Sequence, residues 1–397
     1  MNRMRFPQFL AFTLAFSPLM ASGEEWVGVF ALTDTRSDSF PADGGKRMDD
    51  LLSKGVTVRS LELSWKKYEP ADDQWDEAYL DRLRTELRVM REKGFKVVLD
   101  LGLQYAPDWA IAIQPFRDNL GNVKTERVGA NTIFCPKARE EVAEYLKRVL
   151  SHEGIGKDFF GIRISSGAHP HGEILYPDGA AMNGYWAWDE DARRQCPEAL
   201  RDFKPAPGEN DPRAEPFYDW YCDSLARTVY WMTDQVRLSG FEGKLLLECP
   251  GVGVQPLRYE KLVKENCWSK TDDLMINITG ARYDKIIDGI PDKRNIVIVC
   301  SSLNDSTATR DESGTFPHIE TTWSSAHYLA FLADRNGLEK AGECTGQPPN
   351  DLEKMRQAFA KKRQFGYTGI FWAWEYSLYD GKGKAGIDDL AKEIVRH

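Results

Sequence analysis

The chain has 397 residues, with 52 Lys and Arg against 61 Asp and Glu, for a net charge of −9. That balance argues against a binder of nucleic-acid backbones, which needs clustered positive charge. With 42% hydrophobic and 28% charged residues the chain is globular rather than disordered, and its 12 Trp, 15 Tyr and 19 Phe suit either a large core or a cleft lined with flat stacking surfaces.

The first element is a leader. Arg3 and Arg5 precede an uncharged run from Phe6 to Gly23, with an apolar centre at Phe9–Phe16 and small residues at Ala21-Ser22-Gly23. A membrane span needs about 20 predominantly apolar residues. This run is shorter and is interrupted by Pro7 and Pro18, so residues 1–23 read as a signal peptide. The mature protein is expected to be secreted or periplasmic, with 24–397 as a single domain. Seven cysteines show no Cys-x-x-Cys pair. In an oxidising compartment Cys196 and Cys222 are a possible bridge across a long loop, while Cys249 and Cys300 sit in apolar runs as core residues.

Apolar runs that predict strands follow at Trp26–Leu32, Val56–Leu63, Lys96–Leu103, Phe160–Ser165, Lys244–Cys249, Leu274–Ile278, Asn295–Cys300 and Thr368–Trp374. Helical periodicity fills the gaps at Asp76–Lys93, Ala138–Ser151, Phe217–Ser239, Tyr328–Asn336 and Asp351–Phe365. Strands alternating with helices predict parallel βαβ units, and eight of them predict a (β/α)8 TIM barrel, an α/β fold. A doubly wound open sheet is the competitor, but no Gly-x-Gly-x-x-Gly or Gly-Lys-Ser/Thr loop directly follows any strand. Between the fourth strand and the helix near Glu215 lies a long loop carrying Tyr176, Tyr185, Trp186 and Trp188. Loops of that length are functional or disordered, and the aromatics predict an ordered flap over one barrel face.

Active groups of such barrels sit at the carboxyl ends of the strands. The residues found there are Trp65 and Glu69; Tyr105, Asp108 and Trp109; His169, His171 and Glu173; Glu248; Asn277; Glu343; and Trp372, Trp374 and Glu375. Carboxylates, amides and tryptophans on one rim, with Tyr176 and Trp323 added, are the composition of a sugar cleft: rings cover the apolar faces of pyranoses and polar groups take the hydroxyls. Hydrolysis of a glycosidic bond needs two carboxyl groups, one protonated for the leaving oxygen and one ionised. Glu173, in a Gly/Pro-shaped turn, is the candidate acid; Glu343, in a short segment expected to follow a helix, is its candidate partner; Glu248 and Glu375 stand in reserve. Each also has a structural explanation. A lone Glu can be salt-bridged, Asp108 can cap a turn, and Trp372 and Trp374 alternate, so one of them can face the helices. His169-Pro170-His171 invites a metal-dependent hydrolase as a rival, but Pro170 divides the pair, and no metal or cofactor is expected. A barrel that binds carbohydrate without cleaving it is the other rival.

At these residues the chain resembles the (β/α)8 glycoside hydrolases of the β-amylase and β-galactosidase-like families. Gly172-Glu173-Ile174-Leu175-Tyr176-Pro177 is similar to the β-amylase segment Gly-Glu-Leu-Arg-Tyr-Pro, and Ala341-Gly342-Glu343-Cys344 to the later Ala-Gly-Glu-Asn segment. The resemblance implies Glu173 as general acid, Glu343 as general base, and carboxyls about 6.5–9.5 Å apart with inversion; a retaining enzyme would hold them at about 5–5.5 Å. Glu69-Pro70, Trp75 and Tyr79, followed by Tyr105-Ala106-Pro107-Asp108-Trp109, is similar to the second and third strands of β-galactosidase-type barrels. Cys344 stands where β-amylases have Asn, and their mobile Gly-Gly-Asn loop has no counterpart, which points away from starch.

Overall fold

Short runs buried on both faces become the staves of a closed parallel barrel. The computed structural model describes residues 24–30, 45–179, 184–205, 211–250, 279–304, 323–344, 352–381 and 384–396. The strands are β1 (Trp26–Val29), β2 (Val58–Glu62), β3 (Lys96–Asp100), β4 (Phe116–Arg117), β5 (Val123–Lys124), β6 (Gly161–Ile164), β7 (Lys244–Cys249), β8 (Ile296–Cys300), β9 (Glu339–Cys344) and β10 (Gly369–Trp372). β4 and β5 form a separate antiparallel ribbon, and the other eight close in chain order, β10 returning to pair with β1. Helices Lys46–Ser53, Glu77–Lys93, Pro136–Val149, Ala214–Leu238, Tyr283–Asp288, Ser325–Arg335, Leu352–Gln364 and Ile387–Val395 each follow one stave. The fold is an α/β TIM barrel.

The helices form where the sequence supplies both a stripe and a start. Glu77–Lys93 buries Tyr79, Leu80, Leu83, Leu87 and Met90 at helical spacing, and the Asp76 carboxylate accepts the backbone N–H of Tyr79 at 2.8 Å. Pro136 opens the helix after β5, where its missing N–H costs nothing.

Inside the barrel the strand period of two sorts residues into layers. Trp26, Phe30, Val58, Val98, Leu246, Val297, Val299, Ala341 and Phe371 form an apolar plug, with Phe30 stacked on Phe371 at 4.1 Å. One step further along the strands the same inward parity delivers Glu62, Asp100, Arg163, Glu248 and Glu343. The registers Glu62↔Asp100↔Arg163, Glu248↔Val299↔Ala341 and Glu343↔Phe371 hold them at the carboxyl end.

Two expectations change. The expected strand Leu274–Ile278, with Asn277, lies outside the described residues, as does the leader. A stave is instead Glu339–Cys344, so Glu343 is on a strand and not in a loop after a helix. Glu-Lys-Ala-Gly-Glu-Cys has no β-branched residue, but its charges are paired from outside: Glu339 with Lys244, and Lys340 with Asp334 and the Phe365 carbonyl. Gly342 is required by packing, because a Cβ there would stand 2.0 Å from the Leu303 side chain. The Cys196–Cys222 bridge is also absent. Both thiols are free and buried, in separate helical surroundings.

The described aromatics of the segment after β6 pack against the helix Ala214–Leu238 rather than standing as open rings. Tyr176 stacks on Tyr221 at 3.9 Å, and Tyr185 packs edge-on against Phe217 and Tyr221. The segment docks on the β4–β5 ribbon through Trp188 N–H to the Arg117 carbonyl and Tyr185 N–H to the Asn119 side chain. Among the described residues no helix is long and apolar enough to cross a membrane.

Candidate active site

The polar layer on top of the plug is organised by one guanidinium. Arg163 enters the lumen from β6, is buried, and lies over the Phe30 ring at 5.1 Å. It donates from Nη1 to Asp100 at 2.9 Å, from Nε to Glu248 at 3.3 Å and from Nη2 to the His171 carbonyl at 2.9 Å. Burial alone would weaken its charge, but Glu248, Asp100 and Glu343 reverse that and hold it firmly protonated. Gln104 adds an amide donor to both Asp100 oxygens at 3.2 Å.

The third of those bonds fixes the loop that carries Glu173. Gly172 has φ +70, and a Cβ there would meet Arg163 Nη1 at 3.0 Å and the Gln104 amide at 3.3 Å, so the turn needs glycine. Beyond it the loop continues the barrel pattern: Ile174 N–H bonds the Glu248 carbonyl at 3.0 Å, Tyr176 N–H the Thr279 carbonyl at 3.1 Å, and Ser166 Oγ the Glu173 carbonyl at 3.1 Å. The Glu173 carboxylate, with 17% of its side chain exposed, accepts from Ser301 Oγ at 3.2 Å and faces His169 Nδ1 at 3.2 Å. Burial pushes Glu173 upward, but the His169 hydrogen bond and the positive charges of His169, Arg163 and His171 bring it below the usual carboxyl value.

Glu343 behaves in the opposite way. It is 8% exposed. Burial first, then the charge of Glu248 and a hydrogen bond to it, push its carboxyl well above the ordinary range. Glu248 is 0% exposed and is itself raised, by burial and by the nearby Glu173, against the pull of Arg163 and Glu343. The two carboxyls at the mouth are thus displaced in opposite directions, Glu173 downward and Glu343 upward. On the β2–β3 side a cleft of about 550 Å3, lined by Glu62, Tyr79, Gln104, Tyr105, Lys66 and Arg127 among others, meets the polar layer at Gln104, while neither Glu173 nor Glu343 lines it. Tyr105 is hydrogen-bonded to Glu62, and its hydroxyl is pushed up by burial and by the Glu62 and Asp100 charges.

The remaining expected sugar contacts divide by exposure. Tyr105, Asp108 and Trp109 lie on the cleft side: Asp108 is exposed and paired with Lys66 at 2.6 Å, while Trp109 is half-buried with its Nε1–H on the Glu69 carbonyl at 3.2 Å. His171 is exposed on the rim, and Trp374 is half-buried, edge-on to Tyr376. Six others are core. Trp65 is fully buried with Nε1–H on Glu69 at 2.7 Å; Tyr176 is sealed under Tyr221; Trp323 is stacked on His327 at 3.9 Å; and Trp372 donates to Ser377 Oγ at 2.8 Å. Glu248 is enclosed beneath the mouth, and Glu375 bonds the buried Arg59 at 2.7 Å in the helix layer. All six side chains are covered by protein, so none of them presents an open face to a sugar here. Arg163, Asp100, Glu62 and Ser301 were missed. Their signal is parity, since each of the first three is a charged residue on the inward phase at or near the end of an apolar strand.

His169 is engaged with Glu173, and among the described residues the acidic group close enough to share a cation is Glu69, Asp72 and Asp73, to which neither His169 nor His171 belongs.

Solved structures share this architecture. The catalytic domain of β-amylase from Paenibacillus polymyxa matches with a TM-score of 0.64 and 16% identity, over 94% of this chain and 98% of that one. β-Galactosidases from the psychrophilic Marinomonas ef1 and the Antarctic haloarchaeon Halorubrum lacusprofundi match with TM-scores of 0.57, at 14% and 12% identity, over 93% and 94% of this chain. The chain spans 58% and 57% of those two proteins. No family model matches the sequence, and no curated protein matches it. The likeness is one of fold, a glycoside hydrolase-like (β/α)8 barrel.

Proposed function

We propose that this chain is an exported glycoside hydrolase that cleaves O-glycosidic bonds of a poly- or oligosaccharide, with Glu173 and Glu343 as its carboxyl pair. The observation that carries the reading is the placement of both carboxyls at the carboxyl end of one closed barrel, Glu343 on β9 and Glu173 in the glycine turn after β6, held by Ser301 and His169. The β-amylase and β-galactosidase neighbours support the substrate class.

Glu173 gives the proton to the leaving oxygen, as the resemblance implies, and Glu343 acts at the anomeric carbon, on water or directly. In the free site the proton rests the other way round. Entry of a sugar corrects this in two ways. It strips water from Glu173, whose burial already pushes its carboxyl upward, and it brings positive charge developing on the ring beside Glu343, which favours the ionised form there.

The test uses two substrates. Glu173→Gln should lower hydrolysis of the natural glycan by about 10²–10⁴-fold while sparing an aryl glycoside whose leaving group needs no proton. Glu343→Gln should lower both. The reverse pattern exchanges the two roles, and wild-type turnover in both variants refutes the hydrolase reading. Following the first anomer released by NMR decides between inversion and retention.

A further inference from the structure

A completely enclosed carboxyl beneath a reacting one needs a reason, since an unpaired buried charge is expensive. Glu248 has no exposed surface, and its backbone carbonyl is taken up by Ile174 N–H. One carboxyl oxygen accepts Arg163 Nε at 3.3 Å. The other, Oε1, has no donor among the described residues. Across the lumen, above the inward residues Val299 and Ala341, stands Glu343, the carboxyl joined to Glu248 by a hydrogen bond. Two carboxyls can share a hydrogen bond only when one of them carries the proton, so the donor that satisfies the Glu248 pair is the Glu343 acid.

We propose that Glu248 is a positioning residue that holds the proton displaced from Glu343: the pair carries a single proton, which rests on Glu343 in the empty site and passes to Glu248 when the sugar arrives. The step rests on the glycoside hydrolase reading of Glu343 and balances within the pair. The Glu343 O–H bond breaks, an O–H bond forms on Glu248, and the negative charge moves from the buried acid to the one that faces the anomeric carbon. No exchange with bulk water is required in a lumen whose floor is an apolar plug. The groups facing Glu248 fit this use. Arg163, held by Asp100, keeps one negative charge in place whichever carboxyl bears it, while Glu173 opposes a second. Tyr283 and Cys300, both buried nearby, stay protonated, raised first by burial and also by neighbouring charges that include Glu248. A proton so placed keeps Glu343 neutral, and therefore cheap to bury, until substrate is present.

The experiment is a 13C NMR titration of full-length protein labelled at the Glu carboxyl carbons, read in wild type and in Glu248→Gln. The wild-type pair should titrate in two coupled steps spread to either side of an ordinary carboxyl. In Glu248→Gln the Glu343 signal should collapse to one step with its upper midpoint lowered by about one to two pH units. A Glu343 titration that is the same with and without Glu248 overturns the proposal. If that variant does not fold, Glu343→Gln is read instead at Glu248: its midpoint should fall, and an unchanged midpoint overturns the proposal equally. Activity supplies a separate arm, in which Glu248→Gln lowers kcat with KM unchanged because Glu248 touches no substrate; a rise in KM alone counts against a proton-holding role. The titration does not depend on turnover, so a protein that shares the proton but cleaves nothing refutes the hydrolase reading and leaves the pair intact.

Discussion

Arg163→Met tests whether the guanidinium is what allows carboxyls to be charged inside the barrel. The substitution keeps much of the side-chain volume over Phe30 but removes three donors, those to Asp100, Glu248 and the His171 carbonyl. Breaking a buried pair from one side typically costs about 3–5 kcal/mol, because it strands a charge. Here the stranded groups can escape by taking up a proton, and each proton retained on folding costs about 1.4 kcal/mol per pH unit above the ordinary carboxyl value. One extra proton held between pH 5 and pH 8 amounts to about 4 kcal/mol, so most of the loss should be present at pH 8 and absent at pH 5. In thermal unfolding the variant should fall about 5–10 °C below wild type at pH 8 and approach it at pH 5. A loss of equal size at both pH values would mean that Arg163 contributes packing alone, and no loss at pH 8 would mean that the carboxyls do not need it.

Four further outcomes follow from the same geometry. Glu69, pushed up to about 7 mainly by burial, is most comfortable protonated, so its contribution is full below its ordinary value of 4.5 and lost as the pH rises through 7. Glu69→Gln should therefore gain about 1–2 kcal/mol on wild type between pH 4 and pH 8, after allowance for solvent screening; a gain in the opposite direction in urea unfolding would refute it. Glu343→Gln, which replaces a carboxyl that burial holds protonated, should match wild-type stability in acid and exceed it at pH 8, and a lower midpoint at pH 8 would show that the ionised form is the buried one. Gly172→Ala places a methyl against Arg163 at positive φ and should cost about 1–3 kcal/mol in stability, with hydrolysis lost well beyond that; wild-type behaviour would remove the turn from the site. Glu375→Gln breaks the bond to Arg59 in the helix layer and should cost about 1–3 kcal/mol while leaving KM within about twofold of wild type, and a large rise in KM would return Glu375 to the sugar cleft.

The barrel was legible because seven of its staves are written in the most direct code, apolar runs between amphipathic helices. β9 was not, since Glu339, Lys340 and Glu343 carry the polarity of a loop until their partners on neighbouring elements are known. The site divides along the same line. Glu173 announces itself through a glycine turn whose local geometry only a special sequence allows. Arg163 sits inside Gly-Ile-Arg-Ile, where one polar letter in an apolar run carries no sign of its three partners. Aromatic residues were the least reliable guide: Trp65, Tyr176, Trp323 and Trp372 have the right type and the right neighbourhood for sugar platforms, but ring burial depends on what packs above them, and that is set by segments far away in the chain.

The seam between β1 and β10 has a consequence for how this molecule is made. Trp26 pairs with Gly369 and Val29 with Trp372, so the first and last staves of the barrel are each other's neighbours. Until the chain is nearly complete, β1 has no second flank, and Phe30 waits for Phe371 to cover it. Closure is therefore the most non-local contact in the fold, and a chain emerging vectorially holds two open parallel edges for the whole of its synthesis. Shortening the chain from the carboxyl end should therefore produce an aggregating intermediate rather than a smaller stable barrel.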